Sequence, residues 1–151
     1  MLYQTILVAT DGSELGTAAV DHAAGIARAC NAQLTIVTVA LQFPAFVGLG
    51  GGGIISPSVF DDLRRANVDQ CEAVLKKAAA IAGTGARTET VEYINAYEGI
   101  LETAKAIDAD LIVMGSHSRG FVNRLIIGSQ ASKVVSLSEV PVLIIKQRPA
   151  T

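Results

Sequence analysis

Residues 3–40 read YQTILVATDGSELGTAAVDHAAGIARACNAQLTIVTVA. The segment 3–10 has a short β-branched apolar centre, the pattern of a strand covered on both faces. Asp11-Gly12-Ser13 is a turn, with Ser13 a natural helix N-cap. Beyond it Leu15, Ala18, Ala19, His22, Ala23, Ile26, Ala27 and Cys30 recur at helical spacing. That spacing predicts a helix with one apolar face, His22 packed on it, closed at Asn31. Residues 34–40 then read as a second strand.

The same alternation continues outward. Residues 41–57 are irregular and rich in glycine (Gly48, Gly50, Gly51, Gly52 and Gly53), a long loop of the kind that is often functional. Residues 58–81 form a second predicted helix with Leu63, Ala66, Gln70, Val74, Ala78 and Ile81 along one side, ended by Gly83 and Gly85. Residues 88–94 alternate as a half-exposed strand would. Residues 97–107 read as a third helix buried through Ile100, Leu101, Ala104 and Ile107. A fully apolar strand spans 111–114, a fourth helix runs from Ser129 to about Leu137, and 141–146 is the last strand. Strands alternating with helices imply an α/β fold, a Rossmann-like parallel sheet with helices on both faces. No repeat interrupts it, and 151 residues fit one domain, 1–151.

Composition narrows the functional classes. Half of the residues are apolar, and 12 basic against 14 acidic residues leave a net charge of −2, with no basic run to suggest nucleic acid or an anionic membrane. No apolar run approaches the roughly 18 residues of a membrane span. Residues 1–4 lack the charged start of a secretory signal. Cys30 and Cys71 stand far apart, in no metal spacing, and are expected as reduced, packed thiols. The expected location is the cytoplasm.

Ligands of an open parallel sheet bind beyond the carboxyl ends of its strands. Two such places stand out: Asp11 after the first strand, and residues 115–129, GSHSRGFVNRLIIGS, after the fourth. The second opens with Gly115 at a strand end and closes with Gly128-Ser129 at a helix start. Glycine lets backbone amides approach a ligand, and a helix N-terminus supplies amide donors and a partial positive charge. This is a phosphate cradle that needs no lysine, or an ordinary strand–loop–helix with Ser129 as N-cap. Asp11 has capping-box spacing to Glu14 and could serve the helix alone. His117, Arg119 and Arg124 could meet phosphate or simply be solvated. Gly48-Leu49-Gly50-Gly51-Gly52-Gly53 matches the dinucleotide fingerprint formally, but no helix follows directly, so it is set aside.

The segments TILVATDGSE, DADLIVMGSHSRG, IIGSQASKVV and VPVLIIK, in this order and spacing, make the chain resemble the universal stress protein family over nearly its whole length. The resemblance implies a five-stranded sheet of order 3-2-1-4-5 with four helices, and an adenine nucleotide, ATP or AMP, at its carboxyl edge. In the ATP-binding branch the residue matching Asp11 contacts the ribose, and the backbone of the one matching Val39 holds the adenine. Positions matching Ala9 and Thr10 flank the base, and those matching Gly115, Gly128, Ser129 and Gln130 line the ribose and phosphates. Met114, Ser118 and Arg119 complete the candidate nucleotide-binding set. Ser118 departs from the family's pattern, which has glycine there. In a left-handed conformation a serine would cost about 1–2 kcal/mol, or roughly fivefold to thirtyfold in affinity.

The resemblance further implies a homodimer joined through the final strand, 141–146. No nucleophile–base pair or metal cluster is evident, so the expected role is a stress-response or signalling module rather than an enzyme. A slow ATPase or autokinase, with Mg²⁺ held by the phosphates and no metal held by protein ligands, is the alternative. A family member that has lost the nucleotide and acts only through its dimer surface is another.

Overall fold

The computed structural model describes residues 2–42, 56–117 and 126–148. Its elements are β1 (Thr5–Ala9), α1 (Glu14–Cys30), β2 (Gln33–Leu41), α2 (Pro57–Ala82), β3 (Arg87–Tyr93), α3 (Ala96–Ala106), β4 (Leu111–Gly115), α4 (Ser129–Leu137) and β5 (Val142–Ile145). The strands form one sheet in the order β3-β2-β1-β4-β5, every neighbouring pair parallel. β1 and β4 lie side by side, Ile6 opposite Leu111 and Ala9 opposite Met114. The chain turns toward β2 after β1 and toward β5 after β4, so the strand order reverses between them.

Side-chain alternation along β1 explains the layering. Ile6 and Val8 join a core with Val20, Ala23 and Ala27 of α1 and with Leu75 and Ala78 of α2. Leu7 and Ala9 face the other way, into a core with Ile100 and Ala104 of α3 and Ala131 and Val134 of α4. A strand buried on both faces must be apolar at every position, which is why the centre of β1 shows no polar alternation.

The caps of α1 fall where the sequence puts them. Ser13 Oγ accepts from Gly16 N at 3.1 Å, and Asn31 closes the helix in the left-handed conformation, φ 53°. The buried face is rotated from the expected one: Ala19, Ala23 and Ala27 lie on it as expected, Gly16, Val20 and Ala24 join them, and His22 is exposed rather than packed. The helix turns its smallest residues to the sheet, which lets the backbones approach, and leaves Leu15, Ala18 and Ile26 on the flank.

α2 also departs from expectation. Only Cys71, Val74, Leu75 and Ala78 are buried, and Leu63 is 52% exposed. Its 26 residues rise about 39 Å, longer than the strands it covers. The amino-terminal half is tied to the sheet edge by polar bonds instead. Arg64 donates through Nε and Nη2 to both carboxylate oxygens of Glu92, each at 2.7 Å. Asn67 Nδ2 donates to the Leu41 carbonyl at 3.0 Å. No helix among the described residues is long and apolar enough to cross a membrane.

Candidate functional site

A cleft of about 460 Å³ opens at the carboxyl ends of β1, β2 and β4. Nine of the eleven residues expected at a nucleotide site line it: Ala9, Thr10, Asp11, Val39, Met114, Gly115, Gly128, Ser129 and Gln130. Ser118 and Arg119 lie outside the described residues, as do Arg124 and the glycine-rich stretch 48–53. The volume is within the usual range for small-molecule sites, roughly 300–1,000 Å³.

The wall at β1 is a stiff turn. Thr10 is buried and has both backbone groups engaged: its N–H donates to Val37 O at 3.0 Å, and its carbonyl accepts from Thr38 Oγ1 at 2.8 Å. Thr10 Oγ1 accepts from Gly12 N at 3.2 Å, and Asp11 Oδ1 accepts from Ser13 N at 2.9 Å. Two successive side-chain-to-backbone turns thus carry the chain from strand to helix. Gly12 sits between them at φ 79°, a conformation that favours glycine. Asp11 therefore supports the turn before α1, but not as that helix's cap, because Ser13 fills that role. Its carboxylate stays exposed at the mouth.

Gly16, one turn into α1, belongs to the same wall. A Cβ there would lie 2.7 Å from Thr10 Oγ1 and 2.9 Å from Asp11 Oδ1. The turn and the helix are pressed together, and only the missing side chain allows it.

The wall at β4 is built on backbone contact. Ser116 N donates to Ile145 O at 2.9 Å, and Ser116 O accepts from Gly128 N at 2.8 Å. The Gly128 amide is thus spent inside the protein and does not face a ligand. Its glycine identity has a packing reason, since a Cβ would stand 3.0 Å from Ser116 O. Gly115 likewise abuts α1, with a Cβ only 2.9 Å from that of Leu15. Gly128 is the N-cap of α4, and Ser129, read above as one possible cap, is the first helical residue. The first bond of that helix runs from Ser132 N to Gly128 O at 2.9 Å. The amides of Ser129, Gln130 and Ala131 precede it. They have no acceptor within the helix, and a glycine cap offers them no side chain. His117 lies half-buried beside them, its Nδ1 3.0 Å from Ser116 Oγ.

Gln130 has a second task. Its Oε1 accepts from Tyr97 N at 3.0 Å, in the first turn of α3. Lys133 Nζ lies 5.3 Å from the centre of the Tyr97 ring, a cation–π distance. The amino ends of α3 and α4 are therefore fastened together above the sheet.

The third wall was not anticipated. Leu41, Ile94, Asn95, Ala96 and Ile100 close the cleft beyond β2 and β3. Gln42 N donates to Tyr93 O at 2.8 Å and draws the end of β3 against that of β2. The rule that points to residues after the first and fourth strands applies equally after the third, and would have found Ile94 and Asn95. Gly99 sets the depth here, because a Cβ would lie 2.9 Å from Val39 Cγ2.

Comparison with known proteins agrees with this architecture. Residues 2–146 match the model of the universal stress protein family. A universal stress protein from Methanocaldococcus jannaschii, MJ0531, is 34% identical over 146 residues, covering 97% of this chain and 84% of that protein. Among solved structures, the universal stress protein UspA from Lactobacillus plantarum superimposes with a TM-score of 0.73 at 26% identity, covering 95% of this chain and 98% of the other. A universal stress protein crystallised in complex with cAMP superimposes at 0.68 with 30% identity, covering 96% and 98%. A match along almost the full length, shared by sequence and by fold, establishes that this chain belongs to the universal stress protein family.

Proposed function

We propose that the chain binds an adenine nucleotide, AMP or ATP, in the cleft at the carboxyl edge of the sheet. The observation that carries this reading is the cleft's polarity. One end is apolar, formed by Val39, Leu41 and Ile94. The other ends on the uncapped first turn of α4, where three amides and the helix dipole favour an anion. Asp11 stands between them at the β1 turn. A base, a ribose and a phosphate need these three environments in that order. A relative that is 30% identical was crystallised with cAMP, which supports an adenine ligand without choosing the phosphate.

In this reading the half-buried Val39 holds the base through its backbone and Asp11 accepts from a ribose hydroxyl. Ser129 and Gln130 offer their amides to phosphate, while Gly115 and Gly128 act by packing. In this reading any Mg²⁺ would be carried by the phosphates.

The working unit in this proposal is a cytoplasmic homodimer joined through β5. That strand is an edge of the sheet, and Val142, Leu143 and Ile144 are only half-buried in the single chain. An apolar, unpaired edge is favourable to cover with a second copy. Nucleotide occupancy would alter the surface around the cleft and so a partner's affinity, which is a signalling role in stress.

Calorimetric titration of the purified protein with AMP and ATP, beside a native mass spectrum, tests both parts. Micromolar or tighter binding and a dimeric particle are expected. No heat with either nucleotide, and none co-purified, would remove the reading. Multi-turnover ATP hydrolysis lost in S129A would favour the enzymatic alternative.

A further inference from the structure

Asn95 opens α3 as its N-cap, where an asparagine ordinarily turns its Oδ1 back to accept a first-turn amide. Here the side chain makes no such bond. Two neighbours account for the change. Gln130 Oε1 takes the Tyr97 amide at 3.0 Å, and Asn95 Nδ2 donates to Glu98 Oε1 at 2.8 Å. A carboxylate oxygen accepts, so this bond fixes which end of the Asn95 amide is nitrogen. Asn95 Oδ1 consequently takes no hydrogen bond among the described residues, although Asn95 is half-buried and forms part of the cleft wall. An acceptor whose amide is held by Glu98, yet given no protein donor, is suited to a donor on a ligand.

Its place identifies the donor. Asn95 follows Ile94 directly and shares its wall with Leu41, at the apolar end of the cleft. The anion-favouring end belongs to α4, and the acceptor nearest β1 is Asp11. What meets Asn95 is the edge of the base.

We propose that Asn95 selects the purine: its Oδ1 accepts from the exocyclic 6-amino group of adenine and faces, in a 6-oxo purine, an oxygen that repels it. Glu98 and Gln130 are positioning residues for this contact. Glu98 holds the amide nitrogen, and Gln130 relieves Asn95 of capping α3. The assignment rests on the nucleotide reading above and adds the chemical basis of its choice of base.

AMP and IMP differ at position 6 and at the adjoining N1 proton, so their affinity ratio reads this contact. The native chain is expected to bind AMP at least about tenfold more tightly than IMP, the scale of one well-placed hydrogen bond plus relief of one unpaired group. In N95L the ratio falls to near unity, mainly through weaker AMP binding. The variant E98A, which leaves Asn95 and the cap in place, lowers the ratio too, and E98Q, whose amide oxygen can still accept from Nδ2, restores it. Circular dichroism and melting curves establish that α3 is retained in each variant. If AMP binds and the ratio is the same in N95L and E98A as in the native chain, the role of Asn95 is refuted while the nucleotide reading stands. If the native chain binds neither nucleotide, both fall together.

Discussion

Replacing Gly16 with alanine and, separately, Gly25 with alanine should move stability in opposite directions, although both lie in α1. Helix propensity alone favours alanine at each by about 0.5–1 kcal/mol. At Gly25 nothing lies within 4 Å of the added Cβ, so the gain is realised. At Gly16 the new Cβ would sit 2.7 Å from Thr10 Oγ1, 2.9 Å from Asp11 Oδ1 and 3.2 Å from Asp11 N. Thr10 is buried and cannot swing outward, so the helix or the turn must move, at about 1–3 kcal/mol for an overpacked contact. The Gly12–Thr10 and Ser13–Asp11 bonds are strained in the process, at about 0.5–1.5 kcal/mol for each one lost. The net expectation is a destabilisation of about 1–3 kcal/mol for G16A. For a chain of this size that lowers Tm by roughly 2–10 °C, while G25A raises it by about 1–4 °C. Urea and thermal denaturation followed by circular dichroism measure both. A G16A protein as stable as the native one, or two shifts of the same sign, would refute the claim that the β1 turn is packed against α1 without room for a methyl group.

Other perturbations probe separate parts of the structure. Ser129→Ala should weaken AMP binding about tenfold to a hundredfold if its hydroxyl meets a charged phosphate; equal calorimetric affinities would exclude that contact. The hydrogen bond from Arg64 holds the Glu92 carboxyl below its ordinary range, so this pair stabilises the fold above the unfolded-state carboxylate pKa and ceases to do so as pH falls through the depressed value. Melting curves of native protein and R64M should accordingly differ slightly at neutral pH and converge in acid. Both side chains are partly solvated, so added salt should also shrink the gap. Burial pushes the Cys71 thiol upward, and alkylation at neutral pH should spare Cys71 until the protein is unfolded, as peptide mass mapping would show. A charge on the last strand, as in L143D, should convert a dimer to monomers in sedimentation if β5 is the dimer contact, with circular dichroism checking the fold because Leu143 also packs on the core beneath α1.

Much of the fold was legible because strands and helices carry different periods. The centre of β1 and the capped helix after it announce a strand–helix–strand unit before any contact is known. What local spacing cannot supply is rotation about a helix axis. Leu15, Ala18 and His22 form as regular a row as Gly16, Val20 and Ala23, and only the demand for close packing on β1 chooses between them. The overlong α2 is a similar case, since its periodicity continues beyond the sheet that buries it. Strand order came from the family resemblance, not from the alternation of elements.

At the site, sequence position points to strand ends but not to which ends meet. Asp11 and Gly115 were expected because turn chemistry marks both. Asn95 lies ahead of the helix expected from residue 97 and was not singled out from the sequence. Its release from capping depends on Gln130, 35 positions away, and no local pattern records that exchange. Gly115 and Gly128 were read as letting backbone amides approach a ligand. Like Gly16, each also stands where a Cβ would press on the protein's own atoms.

If the cleft takes an adenine nucleotide with its phosphate on α4, a crystal grown with millimolar AMP will hold it there. Density is expected with the base among Val39, Leu41 and Asn95, the ribose against Asp11 and the phosphate within hydrogen-bonding distance of the Ser129 and Gln130 amides. An empty cleft at that concentration, or AMP bound elsewhere on the molecule, would contradict this reading.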